Sequence, residues 1–212
     1  AGPCPHCGAV AAVSSGEFKI ITVLFCDVVD STVLGRRLEP LVTKRVLAGY
    51  GEAVRGVLGG HGASVGKRHG DGFMAAFGVL EVHEDDALRA VRAASELRAA
   101  IGELSTDLRR ERGVDLEVRI GINTGNVLVN DAGTMEEDLT GDAVNLAKKF
   151  EEAAGSGEIL LGEETHRLVA DADHPGAVPL GHLDAGRAHP APRPRRFWLA
   201  RRPHAPPGRG KP

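Results

Sequence analysis

An α+β fold is predicted, with a mainly antiparallel sheet laid out like a ferredoxin or polymerase palm and its helices packed on one face. Three observations carry it: one nearly continuous β-branched apolar run near the start, two later segments with a helical stripe, and a hairpin between them. The apolar run, Phe18 to Val29 (FKIITVLFCDVV), has the pattern of a strand buried on both faces. Ser31 then offers an N-cap for a short helix. Pro40 interrupts it, and a second helix is expected over Leu41 to Leu58, with Val42, Val46, Tyr50, Val54 and Val57 on one stripe and Gly59-Gly60-His61-Gly62 ending it.

Two short strands follow, Ala63–Arg68 and Gly72–Phe77, joined by His69-Gly70-Asp71 in hairpin fashion. Leu88, Val91, Ala94, Leu97, Ile101, Leu104 and Leu108 recur at three- and four-residue steps, which predicts a long helix from about Glu84 to Arg112. Leu116–Thr124 reads as a strand and Asn126–Val129 as a second one after a glycine turn. Asp131 to Glu137 reads as a polar loop, and Gly141 to Ala154 as a helix. Glu158–Leu161 is expected to be a strand with a helical turn after it, and Val178–Leu183 and Arg195–Leu199 are expected as late strands.

The 212 residues suit one domain with trimmings, and 42% hydrophobic with 26% charged residues is ordinary for a globular protein with a real core. No apolar run reaches the roughly 20 residues that span a bilayer, and nothing at the start directs secretion. A cytoplasmic protein without a membrane span is the expectation. The net charge of −3 is uneven, because the eight Arg or Lys from Ala185 onward meet no acidic residue and leave −11 on the first 184 residues. An acidic body without a basic stripe argues against nucleic acid as a partner. The Pro- and Arg-rich tail, residues 201–212, is read as solvated.

Residues 1–17 are read as a disordered leader. Within it Cys4-Pro-His-Cys7 forms half of a zinc ribbon, and His6 is poorly placed to complete a tetrahedron. Cys26 reads as a small core residue.

Two segments carry candidate chemistry. In Phe25-Cys26-Asp27-Val28-Val29-Asp30-Ser31-Thr32 an aspartate ends a buried strand and another precedes a helix. In Lys67-Arg68-His69-Gly70-Asp71-Gly72-Phe73 an aspartate sits at the tip of a hairpin. If strand and hairpin are neighbours in one sheet, Asp27 and Asp71 lie side by side, and magnesium bound by two carboxylates plus phosphate oxygens suits them. The alternative is that Asp27 caps a turn and Asp71 is a turn residue. The backbone from Asp27 to Thr32 runs into a helix N-terminus, whose free amides favour phosphate. Neither Gly70-x-Gly72 nor Gly155-x-Gly157 extends to a dinucleotide fingerprint, and there is no P-loop.

FCDVVDST, KRHGDGF, RIGINTGNV and DLTGDAVNLA, in this order and spacing, resemble the class III adenylyl and guanylyl cyclase catalytic domain over about residues 18–200. The resemblance implies a nucleotidyl cyclase, most simply one that converts ATP to 3′,5′-cyclic AMP and pyrophosphate with two divalent ions, Mg2+ or Mn2+. It makes Asp27 and Asp71 the metal carboxylates, gives Val28 a backbone carbonyl on one metal, and lines the triphosphate with Val29, Asp30, Ser31 and Thr32. Lys67 and Asp138 fall at the purine-selecting positions, where a lysine donor and an aspartate acceptor describe adenine. Asn145 falls at the ribose-orienting asparagine.

The family's transition-state arginine is replaced by Lys149, which keeps the charge but loses the planar fork. Lys148, about 100° round the helix, is not expected to stand in for it. The resemblance further implies a homodimer with composite sites, in which Lys67, Asp138, Asn145 and Lys149 act on the partner's metals and triphosphate. A slow cyclase is the expectation, and a pseudo-cyclase that binds nucleotide and regulates without turnover is the alternative. A diguanylate cyclase fits less well, because His69-Gly70-Asp71-Gly72-Phe73 lacks that family's second acidic residue.

Overall fold

The computed structural model describes residues 16–67, 71–130, 139–170 and 195–197. Its elements are β1 (Glu17–Val28), α1 (Ser31–Arg37), α2 (Pro40–Gly60), β2 (Ser64–Lys67), β3 (Phe73–Phe77), α3 (Asp86–Arg112), β4 (Val118–Val129), β5 (Leu139–Thr140), α4 (Asp142–Ala153), β6 (Ile159–Leu161), α5 (Glu163–Ala170) and β7 (Arg195–Phe197). One sheet runs β2-β3-β1-β4-β6-β7, with β5 paired to β4. Every pairing is antiparallel except β4 with β6.

The central strand is β1, whose twelve residues all pair with β4, from Glu17↔Val129 to Val28↔Val118. Its side chains alternate between two apolar layers, as the period of two requires. Leu24, Cys26 and Val28 join α2 and α3 through Tyr50, Val54, Leu58, Val91, Ala94 and Leu97. Ile21, Val23 and Phe25 face the other way and meet Ala143 and Ala147 of α4. That double burial accounts for the nearly continuous apolarity from Ile21 to Val28, whereas Phe18 and Ile20, expected to be buried with them, are exposed at the start of the strand. The palm-like α+β sheet expected from the sequence is therefore present, but its helices are not confined to one face as expected, because the alternate residues of β1 are apolar too and α4 covers them on the second face.

Three local expectations change. Ser31 is the first helical residue of α1 rather than its cap; Asp30 caps, at φ 52, the only non-glycine with positive φ among the described residues. Aspartate tolerates that left-handed geometry better than most residues, and it turns the chain sharply from β1 into α1. The two strands expected around Gly125 are one strand, β4, because full pairing with β1 carries the backbone straight through. Gly125 serves packing instead: a Cβ there would stand 3.1 Å from the Ala143 Cβ. Finally, α2 extends to Gly60, and Gly62 takes the positive φ of 83 after it.

Leu104, placed on the apolar stripe of α3, is 39% exposed. Cys4, His6 and Cys7, the loop of residues 131–137, Asp138, the strand expected at Val178–Leu183 and the tail lie outside the described residues. No helix among the described residues is long and apolar enough to cross a membrane.

Candidate active site

The pairing of β1 with β3 sets Cys26 opposite Phe73, so Asp27 at the end of β1 and Asp71 just before β3 meet at one edge of the sheet. Asp71 Oδ2 is buried without a hydrogen-bond partner. Asp27 is pinned on both oxygens. Oδ1 accepts the Val28 N–H at 3.0 Å, and Oδ2 accepts from Nη2 of Arg119 at 3.2 Å, directly across the β1–β4 ladder. Burial raises the Asp27 carboxyl above the usual aspartate range; the nearby charges of Asp71 and Glu151 add to the rise, and Arg119 opposes it. Two carboxylates in such a place repel until a cation joins them.

A cleft of about 790 Å³ opens beside Asp71, lined among others by Ser31, Thr32, Lys44, Tyr50, Arg55 and Phe73. Its floor is rigid. Tyr50 and Phe73 meet edge to face with centroids 5.5 Å apart, and the Tyr50 hydroxyl donates to Cys26 Sγ at 3.5 Å. Cys26 is buried, as expected, and burial pushes its thiol up to about 12. Arg55 lies over the Phe73 ring, 5.8 Å from its centre. At the start of α1 the first amides precede any intrahelical bond, while Val33 and Leu34 N–H already donate to Asp30 O at 2.8 and 3.0 Å. Val29 N–H is used by Glu117 O at 2.9 Å.

The donor set fits a divalent ion on the chemistry of these two carboxylates. Among the described residues no group of three or more His, Cys, Asp and Glu side chains converges, so backbone, water and phosphate oxygens would complete the shell, which is how magnesium is usually held. Asp27, Asp71 and the Val28 carbonyl would hold it.

The second half of the expected site stands apart from these aspartates. Asn145 and Lys149 are both exposed on α4, while Ala143, Ala147, Phe150 and Glu151 are buried beneath them. At about 100° per residue, Asn145 and Lys149 share one face and Lys149 stands roughly 160° round from Glu151, the residue aimed at this chain's own Asp27 region. Lys148 is engaged elsewhere, paired with Glu151 and, at 3.7 Å, with Glu152. For Lys67 the backbone is described, as the last residue of β2 opposite Phe73. The structure thus brings Asp27, Asp71, Ser31 and Thr32 together and leaves Asn145 and Lys149 facing outward.

Sequence reasoning missed Arg119 and Glu151. Nε of Arg119 lies 2.6 Å from Oε1 of Glu151, an ion pair whose N–H is not aligned on the oxygen, so neither atom is hydrogen-bonded. Glu151 is 1% exposed. A signal was present: Glu151 falls four residues after Ala147 on the buried stripe of α4, and Arg119 is the one charged residue of β4.

Residues 13–179 match the family described as the adenylate and guanylate cyclase catalytic domain. The chain belongs to that family. Among solved structures, the adenylyl cyclase CyaB from P. aeruginosa is 32% identical with a TM-score of 0.68, over 74% of this chain and 83% of that one. The guanylyl cyclase Cya2 is 28% identical with a TM-score of 0.69, over 86% and 92%. A curated relative, putative adenylate cyclase 3 of Rhizobium meliloti (strain 1021), is 29% identical over 168 residues, 79% of this chain. The chain spans 25% of that relative's length. Cyclases of both base specificities are therefore among the relatives of this cyclase domain, and identity at this level does not separate them.

Proposed function

We propose that this domain converts ATP to 3′,5′-cyclic AMP and pyrophosphate in the cytoplasm, with Mg2+ or Mn2+ held by Asp27, Asp71 and the Val28 carbonyl. The observation that carries this reading is the convergence of Asp27 with Asp71, whose Oδ2 is buried and unpartnered and which lines a cleft of about 790 Å³. Two divalent ions would supply activation of the ribose 3′-oxygen and neutralisation of the triphosphate.

The residues of this chain do the rest. Val29, Asp30, Ser31 and Thr32 form the turn into α1 and lie where a triphosphate would run; the Val29 N–H is taken by Glu117 O, so the amides from Asp30 to Thr32 are the ones that would meet phosphate oxygens. Asp27 is held in one rotamer by Val28 and Arg119, so its orientation is set before substrate arrives. The outward face of α4 supports a composite site in a homodimer, in which Asn145 orients the ribose and Lys149 stabilises charge developing on the partner's triphosphate. Lys67 and Asp138 complete that half by selecting adenine, through a donor to a ring nitrogen and an acceptor for the exocyclic amine.

Incubation with ATP or GTP plus Mn2+ or Mg2+, assaying both cyclic products, tests the reading. Cyclic AMP should dominate, and Asp27→Ala or Asp71→Ala should each leave less than about a tenth of the turnover while the dimer persists. More cyclic GMP than cyclic AMP refutes the base assignment; either alanine variant keeping more than that refutes the metal assignment. The pseudo-cyclase reading rests on Lys149 standing where the family has arginine, and no turnover under any of these conditions would favour it.

A further inference from the structure

We propose that Glu151 is a positioning residue that keeps Arg119 from closing over Asp27, and so keeps Asp27 open to a divalent cation. The inference rests on the proposed role of Asp27 as a metal carboxylate. Arg119 divides one edge of its guanidinium between two carboxylates: Nη2 donates to Asp27 Oδ2 at 3.2 Å, and Nε stands 2.6 Å from Glu151 Oε1. Nε and that Nη are the edge with which arginine grips a single carboxylate in a bidentate fork. With Glu151 in place, Asp27 receives one bond from Arg119 rather than two, and its remaining lone pairs stay available.

Glu151 is built for this. It is 1% exposed, comes from α4 on the sheet's second face, and is held by Lys148 through its other oxygen. The close approach of α4 is fixed by Gly121, where a Cβ would meet Glu151 N at 2.1 Å and Ala147 O at 2.3 Å. The result is an alternating chain, Lys148–Glu151–Arg119–Asp27, ending at the carboxylate that neighbours Asp71 in the wall of the cleft. Without Glu151, the released Nε can join Nη2 on Asp27, where a guanidinium fork and a divalent ion compete for the same oxygens.

The test is Mn2+ affinity of the nucleotide-free protein, read by electron paramagnetic resonance of free Mn2+. Glu151→Gln should weaken Mn2+ binding by roughly tenfold or more. In an Arg119→Lys background, where no fork can form, the same substitution should change affinity less than about twofold. Should Glu151→Gln not fold, Arg119→Met with Glu151→Met removes both charges together, and its Mn2+ affinity should equal that of Arg119→Met alone.

Unchanged Mn2+ affinity in Glu151→Gln with only a lowered melting temperature would reduce Glu151 to a structural role and overturn the inference. So would an equal loss with Arg119 and with lysine at 119. Wild-type Mn2+ binding that survives Asp27→Ala would instead remove the metal reading itself, and this inference with it.

Discussion

Gly121→Ala should be the most informative single methyl group added to this protein. Gly121 lies in β4 opposite Phe25, and α4 crosses directly over it. An added Cβ would stand 2.1 Å from Glu151 N, 2.3 Å from Ala147 O and 2.8 Å from Glu151 Cα. Those are helix backbone atoms, so no side-chain rotation relieves the clash. Reaching ordinary contact at 3.4 Å moves α4 off the sheet by more than 1 Å, and its seam of Ala143 and Ala147 on Ile21, Val23 and Phe25 opens with it. Overpacking of this kind costs about 1–3 kcal/mol, and the backbone contact places the expectation at about 3. At roughly 2–4 °C per kcal/mol for a domain of this size, the melting temperature should fall by about 6–12 °C. Gly56→Ala is the control: it is exposed in α2 with nothing within 4 Å of the added atom, and should stabilise by about 0.5–1 kcal/mol. Urea unfolding of the three proteins decides the matter. A Gly121→Ala variant as stable as wild type would mean that α4 does not sit on β4 at this distance, and the Glu151 geometry would fall with it.

Lys149→Arg should raise kcat by roughly tenfold with little change in KM, and Lys149→Ala should lower it, because a clamp on developing charge acts mainly in the transition state; equal kcat across all three would place residue 149 outside the reaction. Lys67→Glu combined with Asp138→Cys should erode the preference for ATP over GTP in initial-rate assays, and an unaltered ratio would remove both from base selection. In a Cys4→Ser, Cys7→Ser variant, Cys26 should stay unreactive to Ellman's reagent at pH 8 until guanidinium unfolds the chain, since burial holds the thiol protonated. The sign follows from linkage: the folded thiol titrates near 12 against an ordinary 9.0, so unfolded chains lose this proton first and stability drops as pH rises through that window, a slope that Cys26→Ala should lessen.

Much of the fold is written in short-range pattern. The stripe of α2 and α3, the apolar continuity of β1 and the punctuation by Pro40 and Gly62 locate their elements within a few residues, because burial on one or two faces leaves its period in the chain. The order of four motifs located Asp27 and Asp71 as well, since each ends or begins a strand whose apolar residues demand a place in the sheet. What the chain alone could not say is which residues meet across it. Gly125 looked like a turn, because a glycine's local freedom is visible in sequence while the twelve-residue ladder that overrides it is not. Asp27 and Asp71 become neighbours only through the register Cys26↔Phe73, and Asp27 meets Arg119 only through β4. Glu151 reaches Arg119 because Gly121 lets a helix backbone come to the sheet. Sequence determined the elements and the chemical groups at their ends, since both follow from local periodicity and residue type. The tertiary structure decided the charge pairing around Asp27 and the outward face of Asn145 and Lys149, because strand register and helix placement depend on contacts between residues far apart in the chain.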